Sequence, residues 1–105
     1  MTHYQVFFAP EVSAQLSALE SYIAETSGFP VVAAQYVDGL LSFCESLSTF
    51  PERGNRRDDL LPGLRVVGYR KHTNVAFLVD TISQTVSVVG IFHGGQDYGS
   101  VLTED

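Results

Sequence analysis

The spacing of apolar residues changes near the middle of the chain, and this change limits the folds that the chain can adopt. In the first half, apolar side chains recur every three or four residues, as on the buried face of an amphipathic helix. One such segment contains Val12, Leu16, Leu19 and Ile23, and the next contains Ala33, Val37, Leu40, Cys44 and Leu47. After residue 63, the pattern becomes that of sheet strands, in the runs LRVVGYRK, TNVAFLVD and QTVSVVGIF.

Proline and glycine mark the predicted ends of the two helices. Pro10 suits the first turn of one helix, which we expect to end near Ser27–Gly28, and Pro30 suits the first turn of the next. The second helix is expected to end around Phe50–Pro51. Because so few residues separate the helices, the sequence predicts an antiparallel helical hairpin.

The remaining segments complete an α+β fold in the order β-α-α-β-β-β. Residues 3 to 8, HYQVFF, predict a first strand, and Asp80–Ser83 predict a hairpin connection. The helical hairpin is expected to pack on one face of a mostly antiparallel sheet, in which the position of the first strand stays open. At 105 residues, the chain is expected to form a single domain over residues 1–105.

Hydropathy favours a cytoplasmic protein without a membrane segment. No apolar run reaches the roughly 18 residues of a membrane span, and the N-terminus lacks the layout of a signal peptide. A single cysteine cannot form an internal disulfide, and Cys44 is expected to be a small core residue.

The basic residues are confined to one short segment of an acidic chain. The net charge is −6, yet all six Lys and Arg residues fall between positions 53 and 71, where two acids leave a local balance of +4. The other residues hold ten acids and no Lys or Arg, a balance of −10. Such a segment can face a phosphate or an acidic partner peptide. Alternatively, arginines and aspartates in PERGNRRDD form a self-contained, salt-bridged turn.

The stretch GIFHGGQDY, residues 90 to 98, is predicted to be a strand followed by a tight turn. His93 has an ordinary pKa that suits acid–base chemistry, or it only hydrogen-bonds the backbone. Asp97 is expected to pair with an arginine, and Tyr98 to pack on the sheet.

Gly94 is followed by no helix that could cradle a phosphate, so we predict no cofactor. His72 and His93 lack supporting ligands, so we predict no metal site.

Five motifs together resemble the RelE/ParE superfamily of toxins from toxin–antitoxin systems. They are Phe50–Gly54, Arg57–Leu60, Pro62–Arg65, Ala76–Phe77 and Ile91–Tyr98, and the likeness covers essentially the whole chain. The chain most resembles the ParE-like branch, whose members are often labelled plasmid stabilisation proteins. The resemblance implies a RelE/ParE-like fold and a toxin neutralised by a small antitoxin encoded beside it. RelE-like members cleave mRNA in the ribosome, whereas characterised ParE-like members poison DNA gyrase.

The acidic body of this chain favours a protein target such as DNA gyrase over ribosomal RNA, which is a dense array of phosphates. Direct nucleic-acid binding is expected only under the alternative hypothesis, a RelE-like endoribonuclease. A third hypothesis is a non-toxic module that only binds the antitoxin. In all three, a basic groove would suit an acidic, partly disordered antitoxin segment.

The candidate site residues follow from these hypotheses. An endoribonuclease would use His93 or Tyr98 as proton carrier, with Arg65 and other arginines stabilising charge. We expect Arg65 and Arg70, five apart on one strand, to point to opposite faces, so that only one lines a groove with His93. The predicted partner-binding residues are Arg53, Arg56, Arg57, Arg65, Arg70, Lys71 and Asp97.

Overall fold

A computed structural model describes residues 3–94 and shows two helices packed on a five-stranded mixed sheet. The α+β class and the predicted order of the main elements are confirmed. A two-residue strand, β2, precedes the three long strands and was not predicted. The elements are β1 (Gln5–Phe8), α1 (Pro10–Ser27), α2 (Pro30–Glu45), β2 (Asn55–Arg56), β3 (Leu64–Tyr69), β4 (Thr73–Asp80) and β5 (Thr85–His93).

The second helix is shorter than predicted. It ends at Glu45, and a 3₁₀ turn over Ser46–Ser48 follows, so the prediction of a helix to Phe50–Pro51 was wrong by more than one turn. The first helix ends as expected, because Gly28 adopts the left-handed conformation with φ 79° and its N–H bonds the Ala24 carbonyl. Within residues 3–94, no helix is long and apolar enough to cross a bilayer.

The first strand lies at one edge of the sheet, whose order is β1-β5-β4-β3-β2. It runs parallel to β5, with Gln5 opposite Thr85 and Phe8 opposite Val88, whereas all other neighbours are antiparallel. After Val88, β5 continues past the end of β1. There the Gln15 side-chain oxygen, from α1, accepts the Ile91 N–H at 2.8 Å. On the edge where β1 has ended, the last residues of β5 therefore contact α1, while on their other edge they remain paired with β4.

A β-bulge in β5 determines which side chains at the end of this strand face the helices. Ala76 pairs with Gly90 and Phe77 with Val88, so Val89 is an extra residue without a cross-strand partner. Before the bulge, Val88 packs in the helix-facing core, but after it Ile91 does so, while Phe92 packs on the opposite face. Because the bulge reverses the alternation, His93 lies on the helix-facing side.

Two clusters of buried side chains hold the fold together. The larger lies between the helices and the sheet, and its members include Leu40 and Phe77, both fully buried. The smaller, around Leu64 and Phe92, lies on the other face of the sheet. Cys44 is 1% exposed, as expected of a core residue, and burial, with a smaller effect of the Glu45 charge, raises its thiol pKa to about 12.

Candidate functional site

Aromatic and histidine side chains gather at the end of the sheet where β4 and β5 meet both helices. We call them the sheet-end cluster, formed by Tyr22, Tyr36, His72, Thr73 and His93. At its centre, the Thr73 hydroxyl lies 2.7 Å from His93 Nδ1 and 2.6 Å from the Tyr36 hydroxyl. Thr73 is 1% exposed, so both contacts are shielded from water. This arrangement joins α2, β4 and β5 by one chain of hydrogen bonds.

The His93 ring is surrounded by other rings in edge-to-face geometry. The centroid distances are 5.5 Å to Tyr22, 6.0 Å to Tyr36 and 6.3 Å to His72. Burial lowers the pKa of His93 below its ordinary value of 6.5, and a smaller contribution comes from the charge of His72. His93 is therefore neutral at pH 7 and able to accept a proton.

The direction of this hydrogen-bond chain depends on the protonation of His93. When Nδ1 of the neutral ring accepts, the Thr73 hydroxyl donates to it and the Tyr36 hydroxyl donates to Thr73. When His93 is protonated, both ring nitrogens carry hydrogen, so Nδ1 donates to Thr73 and the Thr73 proton must turn away. Protonation of His93 thus reorients the Thr73 hydroxyl, which has a second lone pair with which it can still accept from Tyr36.

Replacing His93 by glutamine is expected to reduce the loss of stability in mild acid. The folded pKa is below the unfolded value of 6.5, so the unfolded chain binds more protons between the two. The contribution of His93 is therefore fully present above pH 6.5 and is lost as the pH falls through the folded pKa. Urea titrations from pH 7.5 to 5 should show a slope smaller by up to about one proton in the variant. His3→Gln is the exposed control, and equal slopes in both variants would contradict the expectation.

Arg70 lies beside the sheet-end cluster and not on a strand. Strand β3 ends at Tyr69, and Arg70 begins the β3–β4 turn with a left-handed φ of 55°, so the prediction that it shares a strand with Arg65 was wrong. Its guanidinium carbon is 5.7 Å from the ring centroid of Tyr36 and 5.5 Å from that of Tyr69. Of the two arginines, Arg70 is therefore the one that shares Tyr36 with His93.

A cleft of about 390 Å³ opens beside His93. We call it the sheet-end cleft; its walls come from α1 and from the last residues of β5. Tyr22 is 54% exposed and belongs to both the cleft and the sheet-end cluster. The cleft is lined by Gln15, Ala18, Leu19, Tyr22, Ile91, His93 and Gly94.

Arg53 and Arg65 form a separate group around the loop after the 3₁₀ turn. The Arg65 side chain, 16% exposed, donates to the carbonyls of Glu52 and Arg53 at 3.2 and 3.3 Å, and lies 3.9 Å from the Glu52 carboxylate. Arg53 donates to the Ser46 hydroxyl at 3.0 Å, and its guanidinium lies over the rings of Phe43 and Phe50. Both arginines hold the loop in place.

Arg56 and Arg57 are paired with neighbouring aspartates. Arg56 lies 3.0 Å from Asp58, and Arg57 makes a bidentate contact with Asp59, with both distances 3.0 Å. The pKa of Asp58 is lowered by the Gly63 N–H and then by Arg56, and that of Asp59 is lowered by Arg57. The segment is the salt-bridged turn that the sequence offered as an alternative.

The structure thus divides the predicted basic surface among three places. Arg70 lies at the sheet-end cluster with Lys71 beside it. Arg53 and Arg65 hold the loop after the 3₁₀ turn, and Arg56 and Arg57 pair with the neighbouring aspartates. Asp97 and Tyr98 lie outside the described residues. In residues 3–94, no three His, Cys, Asp or Glu side chains come together as metal ligands. Tyr36 and Thr73 were not predicted, because they are 37 positions apart and only the fold joins them.

Two solved structures share this fold. A solved chain of the chromosomal ParDE system from P. aeruginosa is similar, with a TM-score of 0.71 and 17% identity over 88% of this chain and 97% of that one. A chain of the RelBE2 toxin–antitoxin complex from Mycobacterium tuberculosis has a TM-score of 0.61 and 20% identity over 88% and 99%. At these identities, the likeness shows the fold.

The amino-acid sequence, compared with protein families, shows to which family the chain belongs. No curated protein matches it significantly. The family model described as the ParE toxin of the type II toxin–antitoxin system, parDE, matches residues 6–98, which includes both helices, the whole sheet except Gln5, and the stretch after β5. The chain therefore belongs to the ParE toxin family of type II toxin–antitoxin systems.

Proposed function

We propose that the protein is the toxin of a type II module, is neutralised by a cognate antitoxin encoded beside it, and acts in the cytoplasm by binding a protein target, DNA gyrase. Family membership and the two similar toxin–antitoxin structures support the antitoxin partner. The choice of a protein target has a different basis, the distribution of charge.

The observation that carries this choice is that most of the cations are engaged within the chain. Arg56, Arg57 and Arg65 each have a carboxylate within 4.0 Å. Arg53 is hydrogen-bonded to Ser46 and covered by aromatic rings. Binding to ribosomal RNA draws on many cations that can replace phosphate counterions. An acidic body with few available cations suits a protein surface better.

Expression of the protein alone from a tightly repressed promoter is expected to arrest bacterial growth. DNA supercoiling, DNA damage and mRNA integrity should be followed in the same culture. We expect gyrase-linked damage with intact mRNA, and rescue when the antitoxin is co-expressed. Arrest with mRNA cut on ribosomes would contradict the gyrase proposal, and absence of arrest would favour the module that only binds an antitoxin.

A second candidate function, a ribosome-dependent endoribonuclease, is favoured by one observation. Neutral His93 lines a cleft, its ring is oriented by Thr73, and it shares the Tyr36 ring with Arg70. It could take the proton of a 2′-hydroxyl while Arg70 stabilises the developing charge. His93→Gln should then reduce mRNA cleavage about 100-fold or more, with His3→Gln unchanged. Gyrase-linked toxicity that survives His93→Gln would exclude this role.

A further inference from the structure

Three cations of the basic segment, Arg53, Arg70 and Lys71, have no described carboxylate within 4.0 Å in residues 3–94, unlike Arg56, Arg57 and Arg65. Arg53 donates to the Ser46 hydroxyl at 3.0 Å and holds its loop, which leaves the adjacent pair Arg70 and Lys71. Arg70 lies over aromatic rings and Lys71 is exposed, so both present their charge at the β3–β4 turn. An incoming carboxylate can pair with them without first displacing a carboxylate that belongs to residues 3–94.

This turn is continuous with the sheet-end cleft. The Gly94 N–H donates to the His72 carbonyl at 2.7 Å, and Gly94 also lines the cleft. The His72 and His93 rings are 6.3 Å apart, and His93 forms part of the cleft wall. A segment that places apolar side chains against Leu19 and Ile91 therefore has its flanking residues next to the turn.

The charge distribution of the chain indicates which kind of segment binds in the sheet-end cleft. Outside positions 53 to 71 the balance is −10, so the body repels an acidic segment everywhere except near the basic residues. At the Arg56–Arg57 loop, Asp58 and Asp59 already occupy the guanidinium groups. A hollow beside Arg53, Phe50 and Pro51 is also lined by the acidic Glu52. Among the described residues, the β3–β4 turn instead combines two unpaired cations with an adjoining cleft that has an apolar floor and no carboxylate in its lining.

We propose, resting on the proposed antitoxin partner, that an acidic amphipathic segment of the antitoxin docks in the sheet-end cleft with its carboxylates on Arg70 and Lys71. Its apolar side chains cover Ala18, Leu19 and Ile91, and Tyr22 forms the wall beside them. The Arg56–Arg57 loop contributes little to this contact. The predicted basic surface is thereby reduced to two of its six cations.

The test compares two double variants that remove the same charge. Full-length Arg70→Gln/Lys71→Gln and Arg56→Gln/Arg57→Gln are titrated with the purified product of the adjoining antitoxin reading frame, at 50 and 300 mM salt. We expect the first to weaken binding by about tenfold or more at low salt and to flatten the salt dependence. The second should change the dissociation constant by less than about threefold. Equal losses, or a larger loss in the second, would overturn the docking surface.

A second pair of variants tests the cleft without altering charge. Ala18→Trp fills the cleft from an exposed position of α1, and Ser13→Trp places the same side chain elsewhere on that helix. Only Ala18→Trp is expected to weaken antitoxin binding, by about tenfold or more. Unchanged binding would show that the segment does not enter the cleft. Circular dichroism and thermal unfolding confirm that each variant is folded.

Other outcomes separate this inference from the function on which it rests. If the wild-type protein binds no product of the adjoining frame, the antitoxin proposal fails and the docking surface fails with it. If the antitoxin binds tightly and neither pair of variants changes its affinity, only the proposed docking surface is wrong. A fluorescent single-stranded RNA that binds the wild type and not Arg70→Gln/Lys71→Gln would reassign the surface to nucleic acid. Concentration-dependent self-association lost in Ala18→Trp would reassign it to a second copy of the chain.

Discussion

Replacing Phe77 by alanine is expected to lower the free energy of unfolding by about 3–5 kcal/mol. Phe77 is fully buried in the larger core cluster, on β4 near the middle of the sheet. The loss combines the transfer free energy of the ring with a cavity that the surrounding strands cannot close. Because small domains have about 5–15 kcal/mol in total, much of the stability would be lost. Urea denaturation measures the change.

Phe29→Ala provides the matched control for this substitution. It removes the same side chain from the turn between the helices, where Phe29 is 64% exposed, and should change the free energy of unfolding by less than about 0.5 kcal/mol. Similar losses in the two variants would contradict the assignment of Phe77 to the core. If toxicity falls with Phe77→Ala but not with Phe29→Ala, the loss is explained by unfolding and not by damage to the surface that binds the target.

Local sequence patterns were sufficient to predict the helices and the long strands, because helical period and β-branched runs act over short distances. The place of β1 depends on pairing with β5, about eighty positions later, and no local pattern encodes it. β2 is only two residues long, too short for a propensity signal. The Val89 bulge was also not predicted, although it decides on which face His93 lies.

The site was harder to predict than the fold for a related reason. The run LRVVGYRK reads as an uninterrupted strand, yet the turn begins inside it, at Arg70, without a glycine or asparagine to mark the left-handed conformation. Clustering of cations in sequence indicated one basic surface, but pairing with Asp58, Asp59 and Glu52 depends on side-chain geometry. His93 could be named from the sequence, while its partner Thr73 required the β4–β5 register.

Gly54→Ala is expected to destabilise the protein by about 2–5 kcal/mol, through two effects. Gly54 has a φ of 74°, in which a residue with a Cβ costs about 1–2 kcal/mol. An added Cβ would also overlap the Val66 carbonyl oxygen, lying 2.8 Å from its carbon and 2.9 Å from Val67 Cα. These are backbone atoms of β3, so relief requires the loop to move away, at a further cost of about 1–3 kcal/mol.

Gly63→Ala separates these two effects, because it shares the left-handed conformation without the overlap. Its φ is 81° and no atom lies within 4 Å of an added Cβ, so only the conformational cost of about 1–2 kcal/mol is expected. Movement of the loop at Gly54 should also disturb the Arg53 carbonyl that accepts from Arg65. If antitoxin binding depends on Arg70 and Lys71, folded Gly54→Ala protein should still bind the antitoxin within about threefold of wild type. A much larger loss of antitoxin affinity would indicate that the antitoxin binds at the Arg53–Arg65 group.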